Sequence, residues 1–184
     1  MLFRSVVAWW QAHQATIERD RAVAVEQFLL GLFRGADPFR EGRPDLTARE
    51  LVEQGSAELA AGFTGGDAVE ARLAATLGWV WKGLGEPETA HDHFRRALDH
   101  AVVAHGASDP GTAEVRIGLG STLLQLGDLD GARRQIERAV ADLRERGDDR
   151  QLAAAVDALG RLEGRLGRHA ESASLHGEAL RLWR

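Results

Sequence analysis

The chain has no cysteine, which excludes disulfides and thiolate metal sites. It has no asparagine, and Lys82 is its single lysine among 23 lysine and arginine residues. Only four prolines occur in 184 residues, so little interrupts a composition rich in Ala, Leu, Arg and Glu, all good helix formers. The net charge of -5 argues against a general nucleic-acid surface, because phosphate binding needs clustered positive charge. The N-terminal apolar run Val6-Val7-Ala8-Trp9-Trp10 is far short of the roughly 20 residues that span a bilayer. It also lacks the long apolar region and small-residue cleavage site of a secretory signal. Two readings of it stay open. It is the last turn of a membrane helix lying upstream, with Trp9 and Trp10 at the interface, or it is the start of a long helix.

What remains is an ordinary globular balance, 44% hydrophobic and 28% charged, with enough length for one domain or a short solenoid. Val25, Phe28, Leu29, Leu32 and Phe33 recur at helical spacing, which predicts one amphipathic helix from about 6 to 34. Gly35 to Leu46, with Asp37-Pro38 and Arg43-Pro44, reads as a loop. Thr47-Ala48-Arg49-Glu50 is a capping box. The helix it opens is expected to bury Ala48, Leu51, Val52, Leu59 and Phe63, and to end at Gly62 to Gly66. From Asp67 onward three helix pairs follow. Pro87 and the Asp109-Pro110 pair mark helix starts, and Gly85, Gly127 and Gly147 mark breaks. The short turns force paired helices to run antiparallel.

The pairs repeat one pattern. Gly78, Trp81, Gly85, Ala90, Phe94 and Ala97 are followed 42 residues later by Gly120, Leu123, Gly127, Ala132, Ile136 and Ala139. Gly160, Gly167 and Ala179 continue it 40 residues further on. Glycine in mid-helix costs roughly 1 kcal/mol relative to alanine. Gly78, Gly120 and Gly160 therefore imply a partner helix packed where a side chain would clash. Gly85, Gly127 and Gly167 are expected to close their helices in the left-handed region. Glu163, Ser172 and His176 replace a large apolar, a small and a large apolar residue, which predicts weaker packing of the third pair or marks it as close to an end of the ordered array.

This alternation of small and large positions resembles the tetratricopeptide repeat, over 67–147 most clearly and over 148–184 in part. The longer spacing is similar to the 42-residue variant of kinesin-light-chain-like arrays. The resemblance implies an all-α, right-handed solenoid of antiparallel helix pairs with repeats at about 67–107, 108–147 and 148–184, preceded by an irregular hairpin over 25–66 and an N-terminal helix over 1–24. It implies a protein-binding scaffold, with the first helix of each pair lining a concave groove. The groove residues are then Arg72, Trp79 and Lys82, next Glu114, Ser121 and Gln125, and last Asp157, Arg161 and Arg165. Trp79 is the sharpest candidate, since aromatic and arginine side chains dominate hot spots; its alternative is packing on the N-terminal helices. The basic end at Arg161 and Arg165 suits an acidic peptide or is simply a solvated face. Clamps that grip a carboxylate tail use Asn and Lys at set positions, and this chain has no Asn and only Lys82.

A second resemblance covers residues 15–65. Gln27-Phe28-Leu29-Leu30-Gly31-Leu32-Phe33, then Asp37-Pro38, then Leu46-Thr47-Ala48-Arg49-Glu50-Leu51 and Gly55, is similar to the segment before the repeats in bacterial serine/threonine protein kinases. That implies the regulatory, partner-binding region of a kinase-like signalling protein, with a membrane anchor upstream and the repeats outside the cytoplasm. Without such an anchor the repeats are cytoplasmic. A structural or self-associating module is the rival reading, with Leu175, Leu180 and Leu182 of the last helix pairing with another copy or with repeats beyond this chain.

Nothing in the sequence supplies catalysis or a cofactor. Gly83-Leu84-Gly85 and Gly118-Leu119-Gly120 lack the third glycine and the preceding strand of a nucleotide loop. In His91-Asp92-His93 the two imidazoles sit two residues apart on a helix and face different ways, so no metal site is expected. Carboxylates such as Glu137, four residues from Arg133, read as solvated helix faces. No nucleophile, base and orienter come together.

Overall fold

A computed structural model describes residues 19, 22–29, 47–146 and 149–184. The chain divides into two compact units, Met1–Glu70 and Ala71–Arg184. In the first unit, residues 22–29 are helical. Ala24 and Phe28, one turn apart, carry their buried stripe. Leu29, expected on that stripe, lies a further 100° around the helix and is exposed. Leu32, Phe33, the 35–46 loop and the Val6–Trp10 run lie outside the described residues.

Helix α1, Ala48–Ala60, starts as its sequence predicts. The Thr47 hydroxyl accepts from the Glu50 backbone N–H at 3.2 Å, and the Glu50 carboxylate accepts from the Thr47 N–H at 2.9 Å. Leu59 is fully buried, and Leu51, Val52 and Phe63 are half-buried. Ala48 is exposed, against expectation, because it lies in the first turn beside the solvated cap. Phe63 meets Phe28 edge-on at 6.4 Å.

The three pairs consist of α2 (Asp67–Gly83) with α3 (Pro87–His105), α4 (Pro110–Leu126) with α5 (Leu129–Arg146), and α6 (Asp149–Arg165) with α7 (His169–Leu182). Among the described residues there is no strand. Asp109 caps α4 by accepting from the Gly111 N–H at 2.9 Å, with Pro110 in the first turn. Gly85, Gly127 and Gly167 take φ of 79°, 85° and 77°, the left-handed closure that their position requires.

Each mid-helix glycine faces the partner helix of its own pair. A Cβ on Gly78 would stand 3.1 Å from the Phe94 ring, one on Gly120 2.6 Å from Ile136, and one on Gly160 2.9 Å from the His176 ring. Gly118 adds a contact between pairs: its Cβ would sit 2.4 Å from Phe94. Phe94 is thus wedged between Gly78 of its own pair and Gly118 of the next, which stacks the first pair on the second.

The third pair is closed, not loosened as its polar residues predicted. His176 occupies the slot at Gly160, and its Nδ1–H donates to Asp157 Oδ1 at 2.9 Å. Glu163 stands where Trp81 and Leu123 stand in the earlier pairs and is only 2% exposed. Its two oxygens are held by Arg133 of α5 at 3.0 Å and by Arg168 at 2.8 Å. Ion pairs to both sides replace the apolar knob.

Candidate binding groove

The helices that open each pair set the site. Helices α4 and α6 pack side by side, and α4 also packs on α3 and α5. Helix α4 is therefore covered on most of its circumference. Residues 117 to 124 are all buried, and its two buried threonines turn their hydroxyls inward, Thr122 to the Gly118 carbonyl at 2.9 Å and Thr112 to the Gly106 carbonyl at 2.9 Å.

That crowding corrects one groove residue. Ser121 is 5% exposed. Its counterparts on the flanking helices, Trp79 and Arg161, reach solvent because they are long, whereas serine ends before it clears its neighbours. Arg72, Glu114, Gln125 and Arg165 are exposed, and Lys82 and Asp157 are half-buried.

Three of the sequence-derived residues converge. Arg72, Trp79 and Glu114 line one cleft of ≈ 380 Å³ between α2 and α4. Its apolar lining is Ala71, Ala75, Ala101 and Val115, residues the sequence gave no reason to single out as site residues. Thr76, His105, Asp109 and Gly111 complete the wall. Gln125, Asp157, Arg161 and Arg165 lie outside this lining. Trp79 is 39% exposed and meets Phe94 edge-on at 5.1 Å, so its orientation is fixed by the residue that wedges the pairs together. Among the described residues neither Arg72 nor Glu114 has an ion-pair partner, so the cleft offers one cation and one anion on facing helices.

Lys82 carries the site onward. Its Nζ lies 4.9 Å from the centroid of the Trp79 ring, a cation–π contact. Burial, and then repulsion from Arg161, lower its pKa from the ordinary lysine value. Arg161 is thus close enough across the groove to be felt, though its own guanidinium is engaged by Asp157. The basic end is therefore partly spent on internal pairing.

On the opposite face, carboxylates expected to be solvated prove structural. Asp142 is buried and accepts from Arg138 Nε at 2.9 Å, and the same arginine reaches Ser108 at 3.0 Å. Arg133 and Glu137 do form the helical pair, at 3.0 Å. His91 Nδ1 lies 3.1 Å from Asp92, and the pKa of His93 is lowered by burial and then by Arg96, against Asp92. Among the described residues no three His, Cys, Asp or Glu side chains gather to hold a metal. No described helix is long and apolar enough to cross a membrane.

The comparisons match this architecture. The tetratricopeptide-repeat family profile matches residues 83–145 and 111–184, together more than half of the chain. The chain belongs to the tetratricopeptide-repeat family. It is similar to the crystal structure of BtubC (BKLC) from P. vanneervenii, with 14% identity and a TM-score of 0.62, over 93% of this chain and 70% of that one. At that identity the likeness is one of fold. No curated protein sequence matches the chain. Repeats of this family support a scaffold that binds other proteins.

Proposed function

We propose that the chain binds a protein or peptide through the groove of α2, α4 and α6, with no catalytic activity of its own, as the regulatory region of a serine/threonine kinase-like signalling protein. The observation that carries the groove assignment is the Trp79 cleft. A large aromatic side chain, held at a fixed angle on Phe94, stands exposed beside small apolar residues, between unpaired charges of opposite sign. A preorganised aromatic in a concave, partly apolar site is the usual hot-spot arrangement. It anchors an apolar side chain of the partner, while Arg72 and Glu114 favour an acidic residue near α2 and a basic one near α4.

Selection of a displayed random-peptide library on the full chain tests this. Enriched peptides are expected to lose about tenfold or more in affinity for Trp79→Ala, and to respond to Arg72→Glu. Peptides that bind both variants as they bind the parent overturn the groove assignment. The kinase association rests on the resemblance of residues 15–65 alone. Genomic sequence upstream of Met1 tests it. An open frame with a kinase domain and a membrane helix supports it and puts the repeats outside the cytoplasm. A free-standing gene overturns it and favours a cytoplasmic protein.

A second reading has its own observation. On the last helix Leu180 is 60% and Trp183 63% exposed, while Leu175 and Leu182 are half-buried. Exposed large apolar side chains grouped on one helix in this way favour packing on another copy. Sedimentation of the parent and of Leu180→Glu decides it: a dimer lost in the variant supports self-association, and a monomer at all concentrations overturns it.

A further inference from the structure

Helix α7 holds a glycine that no contact within the chain explains. Gly78, Gly118, Gly120 and Gly160 each face a side chain that leaves no room for a Cβ. Gly177 lies inside α7, where a Cβ would meet nothing within 4 Å. Glycine weakens a helix interior, and the close approach of another element is what offsets that cost elsewhere in this fold. Gly177 is also part of a seam. Ala170, Ala173, Gly177 and Leu180 follow one another at steps of three, four and three residues, the spacing that lines one helix along another. Ala170, Ala173 and Leu180 are exposed, and Gly177 is half-buried. Leu180 repeats the register of Val140, 40 residues earlier, which is buried on α5, and α5 packs on the following helix α6. The outward side of α7 is thus built like a packed helix face, yet it is open to solvent.

We propose that this face pairs with α7 of a second copy, antiparallel and over the whole helix, an inference that rests on the self-association reading above and specifies its surface. The seam is its own complement only in that order. Its N-terminal half is small, Ala170 and Ala173, and its C-terminal half ends in the large Leu180. Antiparallel overlap of the 14-residue helix seats Leu180 of each copy on Ala170 of the other, and Gly177 on Ala173. The glycine and the alanines let the two backbones come close, which buries both leucines. Parallel overlap would set Leu180 on Leu180 and leave a gap along the small residues. Charge selects the same order. Glu171 lies in the first turn of α7 and Arg181 in the last, with Arg184 just beyond. Among the described residues none of these three has an ion-pair partner. Antiparallel pairing brings acidic turn to basic turn at both ends, whereas parallel pairing sets like on like.

Sedimentation of the full chain is expected to show a dimer that Gly177→Leu weakens about tenfold or more, because the added side chain strikes Ala173 of the other copy. Within one copy the same change meets open space and improves helix propensity, so the thermal midpoint at low concentration should rise rather than fall. The chain has no cysteine, so single cysteines report the order of the helices. A mixture of Ala170→Cys and Arg181→Cys is expected to form the mixed disulfide on oxidation. Ala170→Cys alone is not expected to link, since its two copies stand about 15 Å apart along the antiparallel pair. A dimer that Gly177→Leu leaves unchanged, or Ala170→Cys linking to itself as readily as to Arg181→Cys, overturns this pairing and leaves self-association standing. A parent that stays monomeric at every concentration overturns both.

Discussion

In the pair α4–α5, Ile136 fills the slot at Gly120 and Leu123 is buried beside it; in α6–α7, His176 fills the slot at Gly160 and Glu163 takes the place of Leu123. The backbone arrangement is the same and the filling is of a different kind. The glycine sets the approach of the helices, and the occupant of the slot follows from its surroundings. Ile136 is wholly buried, with another pair on either side, and gains from dispersion and burial. The His176 side chain is 40% exposed, so its polar ring keeps part of its hydration and gains Asp157. Glu163 is dearer to bury, since desolvating a carboxylate costs several kcal/mol. Two arginines with their own ends in water offset most of that cost. They also tie α6 to the preceding pair through Arg133 and to its own turn through Arg168.

The sharpest way to break this comparison is Glu163→Ala. It empties the buried knob position and is expected to cost about 3 kcal/mol through the cavity left behind. Glu163→Leu restores the knob of the earlier pairs, and both arginines can turn to solvent, so it should fall within about 1 kcal/mol of the parent. Denaturant unfolding, with hydrogen exchange on α6 and α7, measures both. If the alanine variant costs no more than the leucine variant, Glu163 does not serve as the knob that Leu123 is, and the comparison fails.

The slots themselves give the next effect. Gly120→Ala drives a methyl into Ile136, which is fully buried and cannot retreat, at an expected cost of about 2 kcal/mol. Gly160→Ala meets only the His176 ring, whose exposed side lets it swing away. There the helix-propensity gain of roughly 1 kcal/mol offsets the loss of the Asp157 contact, and the net change is near zero. Equal thermal shifts in the two variants would show that the third slot is as rigid as the second.

Helix caps separate the pairs by a smaller amount. Helix α5 begins with Asp128 accepting from the Gly131 N–H at 2.8 Å. Helix α7 begins at Arg168, which makes no side-chain cap and sends its guanidinium to Glu163 instead. Asp128→Ala should therefore cost about 1 kcal/mol. Arg168→Ala should act through Glu163, so that its effect disappears in the Glu163→Leu background, a coupling that a double-mutant cycle reads directly.

The same contrast explains what the sequence could reveal. Gly78, Gly120 and Gly160 were legible because glycine in mid-helix has a known local cost and so implies a close neighbour. The caps at Thr47 and Asp109 were legible because their partners lie within three residues. Glu163 was read as a weak point in the packing and Asp142 as part of a solvated face, because their partners lie far away in the chain. Arg133 lies 30 residues before Glu163, and Arg116 of α4 is close enough to feel the charge of Asp142. Ser121 was misplaced for a related reason: a groove register copied from helix to helix ignores side-chain length, and serine ends before it clears its neighbours where Trp79 and Arg161 reach solvent. The Trp79 cleft was half legible. Arg72 and Glu114 followed from the repeat register, but the apolar lining, Ala71 and Ala75 of α2, Ala101 of α3 and Val115 of α4, comes from residues that carry no signal of their own.

The smallest effect belongs to the first pair, where the histidine beside the slot residue Phe94 is His93, not the slot residue itself. Burial lowers the His93 pKa, Arg96 lowers it further and Asp92 opposes both. The unfolded chain has the ordinary value of about 6.5. Above that pH both states are neutral at this position and it contributes nothing to pH dependence. As the pH falls through about 6.5 the unfolded chain takes up the proton first, so stability is lost until the folded pKa is passed and the loss levels off. His93→Gln removes this proton uptake. The drop in denaturation midpoint between neutral and mildly acid pH should be shallower in the variant, by less than the effect of one helix cap. A variant of His93 with the full acid sensitivity of the parent would mean that the first pair opens elsewhere, and that the buried side of α3 is not what the proton finds.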